Sequence, residues 1–251
     1  MAALSTESFL RMNPGIRYTT FFLDTEPSLY YKERQSCGEI DVRLVHMQDH
    51  NPPVCKEVFQ AFWFRYAVAP RLLSTDWVAQ VDTDIVNVIP LPLDEVNSGR
   101  LNGCIDVSIE SSKQLLKTLD SYGWWLPSMY RKVYINAGFL LWEKRLFSWV
   151  FEEMDKRMRQ DAVIGVLDRA PFGDQPYINA IMNSRDDMMD ILHILPSKWN
   201  IGVWSKEMRE NARDLMGLKK AVAFHVFGAA GDDRFGIIES IFKDHVGEFA
   251  R

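Results

Sequence analysis

The sequence predicts an α/β protein with a mostly parallel central sheet flanked by helices, and three observations support this fold class. Apolar segments of strand length alternate with segments of helical periodicity along the whole chain, which is typical of parallel-sheet α/β folds. Trp77–Val81 is a short apolar run bounded by polar residues, the pattern of a buried parallel strand. Asp82 and Asp84 follow at its carboxyl end, where open α/β sheets bind their ligands.

Local signals predict the other elements in order along the chain. Ala2–Met12 is helical and is stopped by Asn13-Pro14-Gly15, and Tyr18–Leu23 is β-branched and aromatic, as strands are. Lys56–Ala69 carries a stripe at helical spacing that we interpret as core: Val58, Phe59, Phe62, Trp63, Tyr66 and Ala67. The other predicted strands are Ile40–Met47, Ile85–Ile89, Cys104–Ile109, Ile191–Leu195 and Ala221–Phe227. The other predicted helices are Ser28–Gln35, Ser111–Leu119, Leu146–Arg159, Asp174–Met182, Lys206–Met216 and Ile237–Phe249.

Length and composition predict one globular domain that spans residues 1–251. A chain of 251 residues with 47% hydrophobic and 25% charged residues can bury a substantial core. The net charge of −5 argues against nucleic-acid partners and anionic membrane surfaces. No apolar run approaches the roughly 18 residues of a membrane span, and the signal-peptide pattern is missing. Three cysteines in no metal-binding spacing agree with a reducing, cytoplasmic location.

Asp82 and Asp84 together indicate a cation site. Two carboxylates at one strand end repel each other and lose hydration, so a positive group should hold them. A hard divalent ion with oxygen ligands fits this role, and such an ion also carries substrate phosphates. The alternative is a turn with two solvated aspartates, since D-x-D triplets also occur by chance.

Four further stretches place polar groups beside apolar segments. Asn136-Ala137-Gly138 allows either close approach of backbone to a ligand or a β-bulge. Asp174-Gln175 precedes a helix that begins near Pro176, where plain helix capping is the alternative. His225 ends an apolar strand and is either a metal ligand or a hydrogen-bonded core residue. Lys198 presents a cation to phosphate or simply lies at the surface.

The order of these stretches resembles that of the family 8 retaining glycosyltransferases, the glycogenin and lipopolysaccharide galactosyltransferase kind. The matching motifs are S-F-L-R-M-N-P-G at 8–15, F-x-x-R (Phe62, Arg65), D-x-D (Asp82, Asp84), N-[AS]-G (Asn136, Ala137, Gly138), D-Q (Asp174, Gln175), L-P-x-x-x-N (Leu195, Pro196, Asn200) and H-x-x-G (His225, Gly228). They span nearly the whole chain and are specific together rather than singly. The resemblance implies the GT-A fold of nucleotide-diphospho-sugar transferases.

The resemblance also implies an activity, a metal and the site residues. A hexose would move from a nucleotide-diphosphate sugar, expected to be UDP-linked, to a glycan or other hydroxyl acceptor with retention of configuration. Mn²⁺, with Mg²⁺ as the alternative, would bind Asp82, Asp84 and His225, a ligand set that suits manganese. The implied donor-binding residues are Arg65, Asp82, Asn136, Ala137, Gly138, Lys198 and Arg234. Asp174 and Gln175 would lie nearest the reacting carbon, and Trp124 and Trp125 would stack on the acceptor sugar.

The chain departs from the family pattern in two places. The family follows H-x-x-G with x-x-K-P-W, whose lysine contacts the diphosphate, and here Arg234 is the candidate replacement because guanidinium binds phosphate well. The family's first strand, which precedes the first helix, has no counterpart. In the family it lies between the strand equivalent to Tyr18–Leu23 and the strand that ends at Asp82. We therefore expect an upstream start, closure of the two flanking strands, or another segment in the gap.

Two other interpretations of the same residues stay open. V-A-Q-V-D-T-D-I-V also resembles the first motif of haloacid-dehalogenase phosphatases, in which the first aspartate, here Asp82, would be a nucleophile. That reading leaves Asn136, Gln175 and His225 without a role. A non-catalytic sugar-binding or partner-binding module with the same fold is the second alternative, and hydrolysis of a nucleotide sugar separates the three.

Overall fold

The structure is a computed structural model that describes residues 1–106, 134–165, 174–185, 187–203, 221–226 and 234–247. The predicted helices 111–119 and 206–216, together with Trp124, Trp125 and Gly228, lie outside these residues. In the described ranges, no helix is both long and apolar enough to cross a bilayer.

Helices and strands alternate along the chain, as predicted. The helices are α1 (Ala2–Met12), α2 (Leu29–Ser36), α3 (Glu57–Ala67), α4 (Ala69–Leu72), α5 (Lys144–Val163), α6 (Gln175–Asn183), α7 (Met188–Ile191) and α8 (Arg234–His245). The strands are β1 (Tyr18–Leu23), β2 (Ile40–Val45), β3 (Trp77–Val81), β4 (Ile85–Asn87), β5 (Leu101–Ile105), β6 (Ile135–Glu143), β7 (Leu192–Leu195), β8 (Ile201–Gly202) and β9 (Ala223–His225). Short 3₁₀ turns cover Met47–His50, Leu93–Glu95 and Ser197–Trp199.

The chain divides into two compact units that alternate along the sequence. Unit 1 contains residues 1–45, 81–95 and 196–251, and unit 2 contains residues 46–80 and 96–195. Unit 1 holds the parallel pair β1–β2 and a sheet of order β4-β9-β8, while a sheet of order β3-β6-β5-β7 belongs to unit 2 apart from Val81. Parallel and antiparallel pairs both occur, so the sheets are mixed. That residues 1–251 form one domain stays a prediction.

In unit 1, the helix α1 is joined to β4 by buried polar side chains. The Asn13 side chain donates to the Asn87 side chain at 2.6 Å and accepts from the Leu91 backbone at 2.8 Å. The Ser8 hydroxyl accepts from the Asn87 backbone N–H at 3.0 Å. Apolar packing of Leu4 and neighbours with β4, β9 and α8 completes this core. Residues of the 8–15 motif therefore hold β4, the strand that follows Asp84, in position.

In unit 2, α3 and α5 pack together through large aromatic side chains, and the core prediction for the α3 stripe holds with two exceptions, the partly buried Phe62 and the exposed Val58. The Tyr66 ring stacks on Phe151 at 5.9 Å, and Trp63 is 2% exposed. Val58 is 51% exposed, so its assignment to the core was wrong. It lies in the first turn of α3 and faces away from the core of unit 2.

Two sequence-based strand expectations need correction. The strand predicted at 104–109 is β5, which begins earlier, at Leu101, and ends at Ile105. Its start was missed because Asn102 and Gly103 disfavour a strand by propensity, whereas both are buried against β6 and β7. Of the three alternatives for the missing first strand, direct closure of the flanking strands is not found in the described chain, where β1 pairs with β2 and β3 pairs with β6.

Candidate functional site

Asp82, Asp84 and His225 converge because β4 pairs with β9. The pairing is antiparallel and places Ile85 opposite His225, so the residue before Ile85 lies beside the histidine. The Val226 N–H donates to the Asp84 backbone carbonyl at 3.0 Å, which fixes this end of the ladder. The His225 Nε2 atom lies 3.2 Å from Asp84 Oδ1 and 3.5 Å from Asp82 Oδ2. The predicted convergence of these three side chains is confirmed.

The donor atoms of these three residues suit a divalent cation. One potential ligand atom from each lies within 4.8 Å of the others. Asp84 and His225 are buried, at 6% and 4% exposure, while the Asp82 side chain is 30% exposed. Two carboxylates and an imidazole with one open side match the ligands that borderline and hard divalent metals accept in proteins. The group can therefore hold a divalent metal.

Arg234 also belongs to this group. Its Nη2 atom contacts Asp84 Oδ2 directly, and its Nε–H donates to the Val226 carbonyl at 2.8 Å. Arg234 is the first residue of α8, and its side chain is 32% exposed. We call Asp82, Asp84, His225 and Arg234 the carboxylate cluster, all of it in unit 1.

A second polar group lies in unit 2, around the start of α6. Gln175 is the first residue of this helix; its Oε1 accepts from the Ala137 N–H at 3.0 Å, and its Nε2 donates to Asp106 Oδ2 at 2.6 Å. The β5–β6 register shifts between Gly103 and Ile105, opposite the segment that contains Asn136-Ala137-Gly138. This irregularity in the pairing agrees with the β-bulge alternative of the sequence analysis, and it frees backbone groups for side-chain partners.

Arg65 reaches the same group from α3. Its Nη1 atom lies 3.4 Å from Asp174 Oδ2, and its Nη2 donates to the Ala137 carbonyl at 3.2 Å. With the Gln80 amide oxygen turned toward it, Arg65 Nε also donates at 2.6 Å. We call Arg65, Asp106, Asn136, Ala137, Asp174 and Gln175 the amide cluster. The structure thus places Arg65 with Asp174.

Most of the amide cluster is buried, and so is the neighbouring Tyr134. Asp106, Asp174 and Gln175 are each at most 7% exposed, and Asn136 is 9% exposed. Burial raises the pKa of the neighbouring Tyr134, and the negative charges of Asp106 and Asp174 add to this effect. The Tyr134 hydroxyl therefore stays protonated beside the carboxylates.

The remaining predicted site residues are Lys198, Gly138, Trp124 and Trp125. Lys198, in a 3₁₀ turn of unit 1, pairs with Glu95, which also accepts from Trp199 Nε1 at 2.7 Å. The Gly138 N–H donates to the Asn136 side chain at 2.8 Å and so turns that amide back onto its own strand. Trp124 and Trp125 are not among the described residues, and their acceptor role stays a prediction.

Asp106 was missed by the sequence analysis, although the sequence contains a signal for it. It is the first residue after β5, the same position relative to its strand that Asp82 has after β3. The predicted strand continued to residue 109 and placed Asp106 inside it. The contact of Arg234 with Asp84 has no local signal, because it joins residues 150 positions apart.

Comparison with known proteins gives the fold. No protein-family model and no curated protein sequence matches the chain. The galactosyltransferase LgtC, solved with donor and acceptor sugar analogues, aligns with a TM-score of 0.61 at 15% identity over 95% of this chain and 91% of LgtC. The mouse xyloside xylosyltransferase 1 aligns with a TM-score of 0.56 at 11% identity over 90% of each chain.

A larger glycosyltransferase is also structurally similar to this chain. The apo bifunctional glycosyltransferase WbbM aligns with a TM-score of 0.58 at 17% identity over 90% of this chain, and the chain spans 44% of WbbM. These solved structures are glycosyltransferases, and the chain has the GT-A fold that LgtC represents.

Proposed function

We propose that the chain is a metal-dependent, retaining glycosyltransferase that moves a hexose from a UDP-linked sugar to a hydroxyl group of a glycan. The convergence of Asp82, Asp84 and His225 at one point of a GT-A fold is the observation that carries this proposal. The family 8 resemblance supports the donor class and the stereochemistry. Mn²⁺ is the proposed ion, with Mg²⁺ as a weaker substitute.

The carboxylate cluster serves the diphosphate half of the donor in this proposal. Asp82, Asp84 and His225 hold the divalent ion, which when bound would neutralise the negative charge that develops on the departing diphosphate. Asp82 is the more exposed carboxylate, and in this proposal it contacts the ribose as well. Arg234 adds a guanidinium for phosphate oxygens. Lys198 is a second phosphate candidate once it leaves Glu95.

In this proposal the amide cluster binds the sugar half of the donor. Buried amides and carboxylates in fixed positions discriminate strongly between hydroxyl patterns, because a mismatched sugar leaves them unpaired. Asp174, Gln175 and Asn136, with the backbone of Ala137 and Gly138, are the proposed sugar contacts. Arg65 holds Asp174 in place at 3.4 Å. Gln175 and Asp174 lie nearest the anomeric carbon in this assignment.

The proposed reaction needs no protein side chain as a base, because the leaving phosphate accepts the proton. The bond from the anomeric carbon to the diphosphate oxygen breaks, and its electron pair leaves with the diphosphate. The acceptor oxygen bonds to the same face of the anomeric carbon, and its proton passes to the leaving phosphate oxygen. An amide at Gln175, where a nucleophilic carboxylate would otherwise be expected, agrees with this route. The GT-A fold disfavours the phosphatase alternative, which belongs to a different α/β fold.

The test is release of UDP from UDP-glucose and UDP-galactose. We expect slow release with Mn²⁺ and none in chelator, and Asp84→Asn should lower the rate by about a thousandfold, since it removes a charge that holds the ion. The exposed Asp94 provides the matched control, because Asp94→Asn makes the same chemical change away from the cluster. Undiminished release in chelator, or in the folded Asp84→Asn protein, would refute metal dependence. Phosphate release from small esters with Mg²⁺ would support the phosphatase. Absence of both activities would support the binding module.

A further inference from the structure

Both carboxylate oxygens of Asp84 already have protein partners. Arg234 Nη2 contacts Oδ2, and His225 Nε2 lies 3.2 Å from Oδ1. The carboxylate is 6% exposed, so little of it faces water. A cation that approaches Asp84 therefore meets a positive guanidinium at one oxygen.

The charges of the cluster explain why a guanidinium is found there. Asp82 and Asp84 lie close together and repel each other, and one arginine compensates half of their combined charge. A divalent ion bound by both aspartates would compensate all of it. Since two cations repel each other strongly at contact distance in a poorly hydrated site, Arg234 and the ion compete for Asp84.

The anchoring of Arg234 allows it to turn without leaving the cluster. Its Nε–H donates to the Val226 carbonyl at 2.8 Å, and this bond does not involve Asp84. The Nη1 group makes no hydrogen bond to any residue in the described ranges, and the side chain is 32% exposed. A planar guanidinium held at Nε can thus present its two outer nitrogens to a phosphate oxygen.

We infer that Arg234 is an exchangeable internal counter-ion of the D-x-D site: a divalent ion displaces it from Asp84, and the released guanidinium binds the diphosphate that accompanies the ion. The inference rests on the proposed function of the carboxylate cluster. It makes Arg234 a positioning residue that couples two ligands. The ion alone binds weakly because it must displace Arg234, and the nucleoside diphosphate alone binds weakly because Arg234 is engaged. Together they bind cooperatively.

The first test measures Mn²⁺ affinity without nucleotide, from the electron paramagnetic resonance signal of free Mn²⁺. Arg234→Gln should bind Mn²⁺ at least about tenfold more tightly than the wild type, the factor that corresponds to one charge-assisted hydrogen bond. Arg145→Gln is the matched control, because it removes the same charge from a side chain that is 87% exposed. Its Mn²⁺ affinity should equal that of the wild type.

The second test measures UDP affinity by calorimetry, in chelator and at saturating Mn²⁺. The gain in affinity that Mn²⁺ confers should be about tenfold smaller in Arg234→Gln than in the wild type, because the released guanidinium is missing. Arg234→Lys keeps the charge but cannot hold Val226 and Asp84 at once, so its Mn²⁺ affinity should fall between the other two. It decides the question if Arg234→Gln does not fold.

The outcomes separate this inference from the proposed function. Equal Mn²⁺ affinity in the wild type, Arg234→Gln and Arg234→Lys, with loss of binding in Asp84→Asn, overturns the counter-ion exchange and keeps the metal site. Absence of Mn²⁺ binding in all of these proteins overturns both. An unchanged effect of Mn²⁺ on UDP affinity in Arg234→Gln overturns the coupling.

Discussion

The charge of Asp84 in the carboxylate cluster is balanced by side chains from separate chain segments, whereas Gln175 and Arg65 of the amide cluster also bond to the backbone of a strand. Asp84 is held by Arg234 and His225, and each of these contacts is between side chains. In the amide cluster, Gln175 accepts from the Ala137 N–H, and Arg65 donates to the Ala137 carbonyl. Backbone anchors cannot leave without disturbing a strand, but a guanidinium can exchange with another cation. We therefore expect the amide cluster to contribute to stability and the carboxylate cluster to respond to ligands.

The largest expected effect comes from a substitution that removes the hydrogen bonds anchoring the amide cluster. Asn179, 1% exposed, accepts from the Ile135 N–H and donates to the carbonyls of Ile135 and Gln175, each at 2.8 Å. Asn179→Ala should lower the free energy of unfolding by about 3 kcal/mol, because several buried backbone groups lose their partner. Urea denaturation measures this change.

Asp84→Asn is the contrasting variant for this prediction. It should change the free energy of unfolding by less than about 1 kcal/mol, because the lost attraction to Arg234 is offset by relief of the repulsion between the two aspartates. Similar losses in the two variants would contradict the distinction between the clusters.

A smaller effect on ligand affinity should distinguish the part of the donor that each cluster binds. Asp106→Asn keeps the size of the side chain but removes the charge that accepts from Gln175 Nε2 at 2.6 Å. A charge-assisted hydrogen bond is about twice as strong as a neutral one, so we expect UDP-sugar affinity to fall about tenfold. UDP and Mn²⁺ affinities should stay within about twofold of the wild type. Calorimetry with the sugar nucleotide and with UDP checks this, and equal losses for both ligands would place Asp106 outside sugar binding.

The smallest effect concerns Glu95 and Lys198, which lie outside both clusters. Hydrogen bonds from Lys198 and Trp199 lower the pKa of Glu95 below its ordinary value. Because the folded-state pKa is lowered, the stabilisation is present above the pKa of the unfolded chain and is lost as pH falls through the folded-state pKa. Glu95→Gln should therefore lower the melting temperature at neutral pH, by an amount equivalent to less than about 1 kcal/mol for this solvent-screened pair.

The pH dependence provides the check on Glu95. The difference in melting temperature between Glu95→Gln and the wild type should shrink as the pH is lowered toward 3. A difference that stays constant over this range would show that the ion pair is not its cause.

Short-range signals predicted the elements well where propensity and burial agree. α1, β1 and β3 have the predicted bounds, because Asn13-Pro14-Gly15 stops a helix locally and the two strands are mostly apolar, aromatic or β-branched. β5 was placed too late, because Asn102 and Gly103 become strand residues only through burial between two neighbours.

The candidate site was predicted in its residues but not in its contacts. The sequence and the family order led to Asp82, Asp84 and His225, and the β4–β9 ladder brings them together. Neither source indicated that Arg234 contacts Asp84, since that contact depends on where α8 begins relative to β9. Lys198 was predicted either to present a cation to phosphate or to lie at the surface, and its pairing with Glu95, 103 positions away, was not indicated. Interactions of that separation depend on tertiary packing, which no local pattern encodes.

The polar link between α1 and β4 has a consequence for the order of events during synthesis of the chain. The buried Asn87 side chain needs the Val222 carbonyl, which is 135 residues further along, and its strand needs β9 as a neighbour. At about 5–20 residues per second, a ribosome takes roughly 7 to 27 s to cover that distance. During this interval α1 and β4 have left the ribosome without their final partners, while residues 96–195 can already pack with residues 46–80. Unit 1 is thus completed last, and its early apolar segments wait longest for the strands that bury them.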